Sequence, residues 1–397
     1  MKRKFFPVVL ALAVMALAAY PVVANAGCNL PAYPVKGTVV NVLSIFDNPE
    51  GALTSMDGEY LFVSNSAIHG NGSKPFAWTE KAGSISKLKI GPHGSLELID
   101  RVFLKDLTGP LGMACANKST AKFPRGSIYA TAGSGPMALA DGTPITDQSR
   151  HKPKVVIFDP GSGKCLGKIC LGMKSEFAKI TGAPVMLVNA LAFDLQGNLY
   201  IVDTGFGHNT YQPEFKYAGG TWKVPAESID ALAAGEAPPS PPQFIPNPSW
   251  PDGVEVSPIT GDIWINTVMP VMEGVPDPYK GGMWALRDVD FVKGVQPDAL
   301  YTGLGRLDGL DFTVRGTCLH TEIGHEKNSI VVVPNGGKPH RLDLVPDVTL
   351  SGPADIDIKT LADGSYLVFV PELMALDPTP WDDELTVIWL PQNFDNP

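Results

Sequence analysis

Past residue 23 the chain has no apolar run near the roughly 20 residues that a membrane-spanning helix needs. Basic residues are outnumbered: 31 Lys and Arg against 41 Asp and Glu leave a net charge of −10, which argues against nucleic acid as a partner. Charge is sparse, at 18% of residues, while glycine (41) and proline (37) are abundant. That balance disfavours long helices and favours many short strands joined by turns. Cysteine is also scarce, and the odd total of five leaves at least one unpaired. Cys165 and Cys170 are close in sequence, whereas Cys115 and Cys318 fall in expected strands and are read as buried free thiols. No Ser-His-Asp set stands in a nucleophile-elbow context. The GSGP and GNGS runs do not lead from a strand into a helix, so they are not phosphate cradles.

The N-terminus reads as a targeting segment. Lys2, Arg3 and Lys4 precede the apolar stretch Phe5–Val23, and Ala24-Asn25-Ala26 offers a small-residue cleavage site. A signal peptide is therefore expected over 1–26 and a single mature domain over 27–397. Removing three basic residues and no acid would take the net charge from −10 to −13. The mature protein is expected to be exported, periplasmic or secreted, with no transmembrane segment, and monomeric. Lipid attachment at Cys28 is the rival reading, opposed by Asn25, which stands where such signals carry an aliphatic residue.

The stretch VNALAFDLQGNLYIVDTG, Val188–Gly205, reads as two strands joined by a tight turn. It recurs. PEGALTSMDGEYLFVSNS begins at Pro49, and PLGMAC at Pro110 is followed after a longer turn by GSIYATAG. PDGVEVSPITGDIWINT begins at Pro251, LDGLDFTVRGTCLHTEI at Leu307 and PADIDIKTLADGSYLVFVPE at Pro353. Further strand pairs follow copies one, two, four and five, and SIDALAAG, residues 228–235, is the one helix expected. Copy six is followed only by ELTVIWL, so the spare strand GTVVNVLSIF, residues 37–46, is free to complete its blade. The expected fold is all-β: a six-bladed β-propeller of four-stranded antiparallel blades, closed by the N-terminal strand in the last blade. Two β-sandwich domains would not give six in-register copies.

Aligned on the residue two before the first inward apolar position, the copies present Glu50, Leu111, Asn189, Asp252, Asp308 and Ala354. Inner strands of a propeller surround its axis, so these positions converge on one point. Three carboxylates and an amide there would repel unless a cation lay between them. With oxygen ligands alone, a hard divalent ion is expected, calcium above magnesium or manganese. Glu50, Asn189, Asp252 and Asp308 are the expected metal ligands, and four protein oxygens leave coordination places open. Against this stands the role of Asp-Gly pairs as simple turn formers.

These motifs resemble the senescence marker protein/gluconolactonase (regucalcin-like) family of calcium-dependent six-bladed propellers, related to diisopropylfluorophosphatases and paraoxonases. PEGAL matches the family's first-blade motif at Glu50, NALAFD the third at Asn189, and LDGLDF the fifth at Asp308. PDGVEVSP carries Asp252 where the family has Asn, a departure that adds negative charge. The resemblance implies a metal-dependent hydrolase acting on a lactone or ester.

Loops beyond the second strands carry His69, His208 and His325, candidates with Asp308 for general base or proton shuttle. Alternatively the three histidines form a second metal site. Asn65, Asp203, Phe206, Met269, Met272 and Glu322 are the expected substrate-pocket residues. A non-catalytic binding module with a structural axial ion is the alternative to the hydrolase. A lyase or redox propeller using the histidines comes third.

Overall fold

Five four-stranded antiparallel sheets and a sixth with one added parallel strand stand around a common axis, each opened by one of the recurrent motifs. The computed structural model describes residues 30–396 except 70–76, 134, 136, 140, 142, 144, 146–149, 151, 206–218, 248–249, 269–280, 324–327 and 374–382. Blade one is Pro49–Thr54, Tyr60–Asn65, Gly83–Ile90 and Leu96–Leu107, from the axis outward. Blade two is Met113–Cys115, Ile128–Ala132, Lys154–Phe158 and Cys165–Cys170. Blade three is Val188–Phe193, Leu199–Asp203, Gly220–Val224 and Gln243–Pro246. Blade four runs Pro251–Val256, Ile263–Thr267, Gly281–Leu286 and Tyr301–Leu304. Blade five is Arg306–Phe312, Cys318–Ile323, Ser329–Val333 and His340–Arg341.

Blade six takes Asp357–Thr360, Tyr366–Glu372 and Glu384–Leu390 from the end of the chain and Gly37–Leu43 from its beginning. Gly37–Leu43 runs antiparallel to Glu384–Leu390, pairing Thr38 with Trp389 and Leu43 with Leu385. The expected closure by the N-terminal strand is therefore observed. A further two-residue strand, Leu344–Val345, lies parallel outside it. That short cover, delivered from blade five, protects part of an otherwise open sheet edge.

The core is divided among the interfaces between blades. Phe62 and Ile85 of blade one pack on Ile128 and Phe158 of blade two, while Leu61 and Val63 pack the other way, on Leu367 and Phe369 of blade six. Central strands are thus buried on both faces, which is why YLFVSN and SIVVV read as nearly unbroken apolar runs. Blade three has the two outer strands that the sequence reading did not assign. Three short α-helices occur among the described residues, Glu176–Thr181, Ile229–Ala234 and Asp288–Lys293, where one was expected. Six residues are too few to display a helical period. Cys318 is buried as expected, Cys115 is half-buried, and Cys165 and Cys170 are exposed free thiols at opposite ends of one strand.

Candidate active site in the axial channel

Each acidic candidate sits in a β-bulge at the start of an inner strand. In blade one Pro49 pairs with Asn65 and Ala52 with Val63, so Glu50 and Gly51 together face one residue. The same slip holds Asn189 and Ala190 in blade three, Asp252 and Gly253 in blade four, and Asp308 and Gly309 in blade five. An extra residue bends a strand and re-aims its side chain. In blade six Pro353 bridges Glu372 while Asp357 pairs with Phe369, which leaves Asp355 within the corresponding irregularity.

Glycine follows the aligned position where the next blade crowds in. A Cβ on Gly51, Gly112, Gly253 or Gly309 would lie less than 3.0 Å from the backbone of Leu111, Asn189, Asp308 or Asp355 respectively. Close approach at the axis therefore selects the E-G, L-G and D-G pairs. Polar side chains on the second strands join these bulges around the ring. Ser64 Oγ accepts from Gly51 N and donates to Leu111 O, both at 2.7 Å. Thr131 Oγ1 donates to Asn189 O at 3.0 Å. Thr321 Oγ1 accepts from Gly309 N at 2.9 Å and donates to Ala354 O. Asn266 spans the gap between blades four and five, from Gly253 N to Gly309 O.

Four carboxylates share one electrostatic field at the mouth end of the inner strands. Burial pushes Glu50 up to about 8, helped by the charge of Asp355. Asp252 and Asp308 are also raised, first by burial; Glu50 and Asp355 act on both, and Asp252 on Asp308. Burial raises Asp355 to about 7 against the pull of the Ala52 and Ile356 amides. Asp355 was missed in sequence because copy six puts its acid one residue late, after Ala354.

Thr204 accepts from Asn189 Nδ2 at 3.2 Å, and its hydroxyl favours the charged form of Asp252 against the larger effect of burial. That leaves the Asn189 amide oxygen available. Three residues past the aligned positions Asp252, Asp308 and Ala354, Glu255, Asp311 and Asp357 form a second acidic tier, roughly 10 Å deeper at a strand's rise per residue. Burial raises all three, Glu255 to about 8. Blades one to three carry Leu53, Ala114 and Ala192 at the same offset, so only half of this tier is charged.

Asn65, Asp203 and Glu322, expected at the pocket, are buried and engaged by their own blades. Asn65 Nδ2 donates to Ser86 Oγ at 2.9 Å. Asp203 accepts from the backbone amides of Met186, Leu187 and Gly205. Glu322 accepts from Gly305 N and Ser329 Oγ and pairs with Arg341 at 2.7 Å. Strand pairing also sets Thr267 opposite Pro251, which places Asn266 one step inward, at the level of Ser64. His69 lies in the short strand Ile68–His69, which pairs with Ala77–Thr79. Phe206, His208, Met269, Met272 and His325 lie outside the described residues. Trp78 and Leu187, not singled out in the sequence, pack with the aligned residue Leu111 in one buried apolar cluster, with Ile68 and Trp250 against it.

The donor set suits a hard cation in its chemistry. Glu50 Oε2 and Asp252 Oδ1 are buried with no hydrogen-bond partner, a costly arrangement for ionised oxygens. Among the described residues, however, no three His, Cys, Asp or Glu side chains are gathered closely enough to hold a metal ion. Binding one would take rotation of the channel carboxylates toward a common point.

No family model matches this chain, and no curated protein matches it by sequence. Solved structures match it in fold. A gluconolactonase from Xanthomonas campestris superposes with a TM-score of 0.50 at 14% identity, over 93% of this chain and 99% of its own. The PQQ-bound aldose sugar dehydrogenase of Streptomyces coelicolor gives 0.53 at 11%, over 91% and 100%. A Thermus thermophilus oxidoreductase, named as a glucose dehydrogenase, gives 0.50 at 15%, over 88% and 99%. The chain therefore has a propeller fold found in a lactone hydrolase and in sugar dehydrogenases.

Proposed function

We propose that this chain is a metal-dependent hydrolase of the gluconolactonase-like, regucalcin-related kind, acting on a small lactone or related ester. The observation that carries the proposal is the mutual charge repulsion of the buried Glu50, Asp252, Asp308 and Asp355 from four blades, with two partnerless buried oxygens among them. Glu50, Asp252, Asp308 and Asp355, with the amide oxygen of Asn189, would hold a divalent cation, calcium foremost. When bound, such an ion supplies Lewis acidity toward a substrate carbonyl. The chain's own groups do the rest. Trp78, Leu111 and Leu187 exclude water from one side and pack the substrate's carbon skeleton. A channel carboxylate, Asp308 first, accepts the proton of the attacking water; His69, His208 or His325 serves as shuttle. The N-terminal segment 1–26 fits export of the protein to the periplasm or medium.

The test is hydrolysis of gluconolactone and aryl esters before and after chelation, with calcium restored, in wild type, Asp308→Ala and His208→Ala. Activity abolished by chelation and by Asp308→Ala is expected. Activity surviving both, or sugar oxidation with PQQ in place of hydrolysis, would overturn the proposal.

A further inference from the structure

Behind the bulges of blades four and five lies a buried chain of side chains ending in a thiol. Asn266, His320 and Cys318 are all completely buried. Asn266 Oδ1 accepts from Gly253 N at 2.8 Å, and Nδ2 donates to Gly309 O at 3.2 Å. The same Nδ2 lies 3.2 Å from His320 Nδ1, and His320 Nε2 lies 3.2 Å from Cys318 Sγ. An amide nitrogen only donates, so Nδ1 has to be the acceptor. The neutral ring then carries its hydrogen on Nε2 and donates to sulfur. Burial also holds the ring neutral, lowering His320 to about 3.

This direction excludes a nucleophilic Cys-His-Asn centre, in which the thiol gives its proton to the ring. Here the ring points its own hydrogen at the sulfur, and burial pushes the thiol well above its usual range. The geometry bears on the two bulges instead. Gly253 and Gly309 directly follow Asp252 and Asp308. Blades one, two and five use a hydroxyl at this level, which rotates to suit its partners. Blade four uses an amide, whose two ends differ and whose second hydrogen would be buried without an acceptor. His320 supplies that acceptor and so fixes which way Asn266 faces.

We propose that Asn266, His320 and Cys318 are positioning residues, a relay that fixes the Asp252–Gly253 peptide and the carbonyl of Gly309, next to Asp308, and so aims both carboxylates into the channel. The proposal rests on reading those carboxylates as the functional centre, but its geometry can be probed without any cation.

Amide hydrogen exchange of Gly253, followed by NMR in calcium-free full-length protein, provides the direct readout. Loss of one net hydrogen bond predicts roughly tenfold faster exchange at Gly253 in His320→Leu. His320→Asn, whose Oδ1 takes the place of Nδ1, should restore the slow rate. The Gly51 amide, held by Ser64 Oγ in blade one, should not change in either variant. Calcium affinity by calorimetry should fall about tenfold in His320→Leu and recover in His320→Asn. Unchanged exchange at Gly253, or equal acceleration at Gly51, would overturn the relay. Should His320→Leu fail to fold, Cys318→Ala decides: faster exchange at Gly253 alone is expected, and a wild-type rate refutes the relay. A wild-type protein that binds no divalent cation would refute the proposed function, leaving exchange at Gly253 to judge the relay.

Discussion

The backbone amide of Asp355 in the last blade donates to the carbonyl of Glu50 in the first, at 3.2 Å. The circle of inner strands thus closes between two acids whose charges repel. A position that serves the ring's continuity is also a position of electrostatic strain.

That strain should appear as a pH dependence of stability. Glu50, Glu255 and Asp355 have folded pKa values raised to about 8, 8 and 7 from ordinary values near 4. Between those limits the folded protein binds more protons than the unfolded chain, so stability falls as pH rises. In chelator, the melting temperature should decline from pH 4.5 to pH 8 and level off above it. Calcium should flatten the decline, and binding it at pH 7 should release protons, measurable by calorimetry in buffers of different ionisation enthalpy.

Asp355→Asn separates binding from stability by sign. Removing one negative charge should weaken calcium binding by roughly 10- to 100-fold, while the calcium-free protein becomes more stable at pH 8. Titration calorimetry and chelator melts read the two effects. A variant that loses stability at pH 8 would contradict the placement of Asp355 among like charges.

Gly309→Ala should be destabilising by about 2–3 kcal/mol in urea unfolding, because its new Cβ would press on the Asp355 backbone. Calcium affinity should fall with it, since the crowded backbone carries the ligands.

Glu322→Gln tests whether that residue serves the mouth or the blade. Its carboxylate is fully buried against Arg341, whose side chain is 27% exposed. Breaking the pair should cost about 2 kcal/mol, below the full buried-pair figure because Arg341 remains partly solvated. KM for a lactone should stay unchanged; a raised KM without loss of stability would return Glu322 to the pocket.

Much of the architecture was legible because a propeller repeats its own grammar. A Pro or Leu, an acid or amide, a small residue and an alternating strand recur with enough regularity to locate the inner hairpins of all six blades and the spare closing strand. The site was legible only where the acid occupied the first bulge position, as in Glu50, Asp252 and Asp308. A bulge holds two residues and either can turn inward, so Asp355 escaped a one-column alignment. Glu255, Asp311 and Asp357 stood in view in VEV, LDF and DID, but alternation alone does not separate a channel-facing residue from a solvent-facing one. Trp78 and Leu187 join the site from segments outside the hairpins, a long-range placement that repeats cannot reveal.

Closure by Gly37–Leu43 also sets the order of events during biosynthesis. This strand is made roughly 340 residues before its partner Glu384–Leu390. At about 5–20 residues per second the wait is on the order of tens of seconds. Throughout it the strand lacks its antiparallel partner and the ring stays open. The ring therefore cannot close until the last strand of blade six has been made.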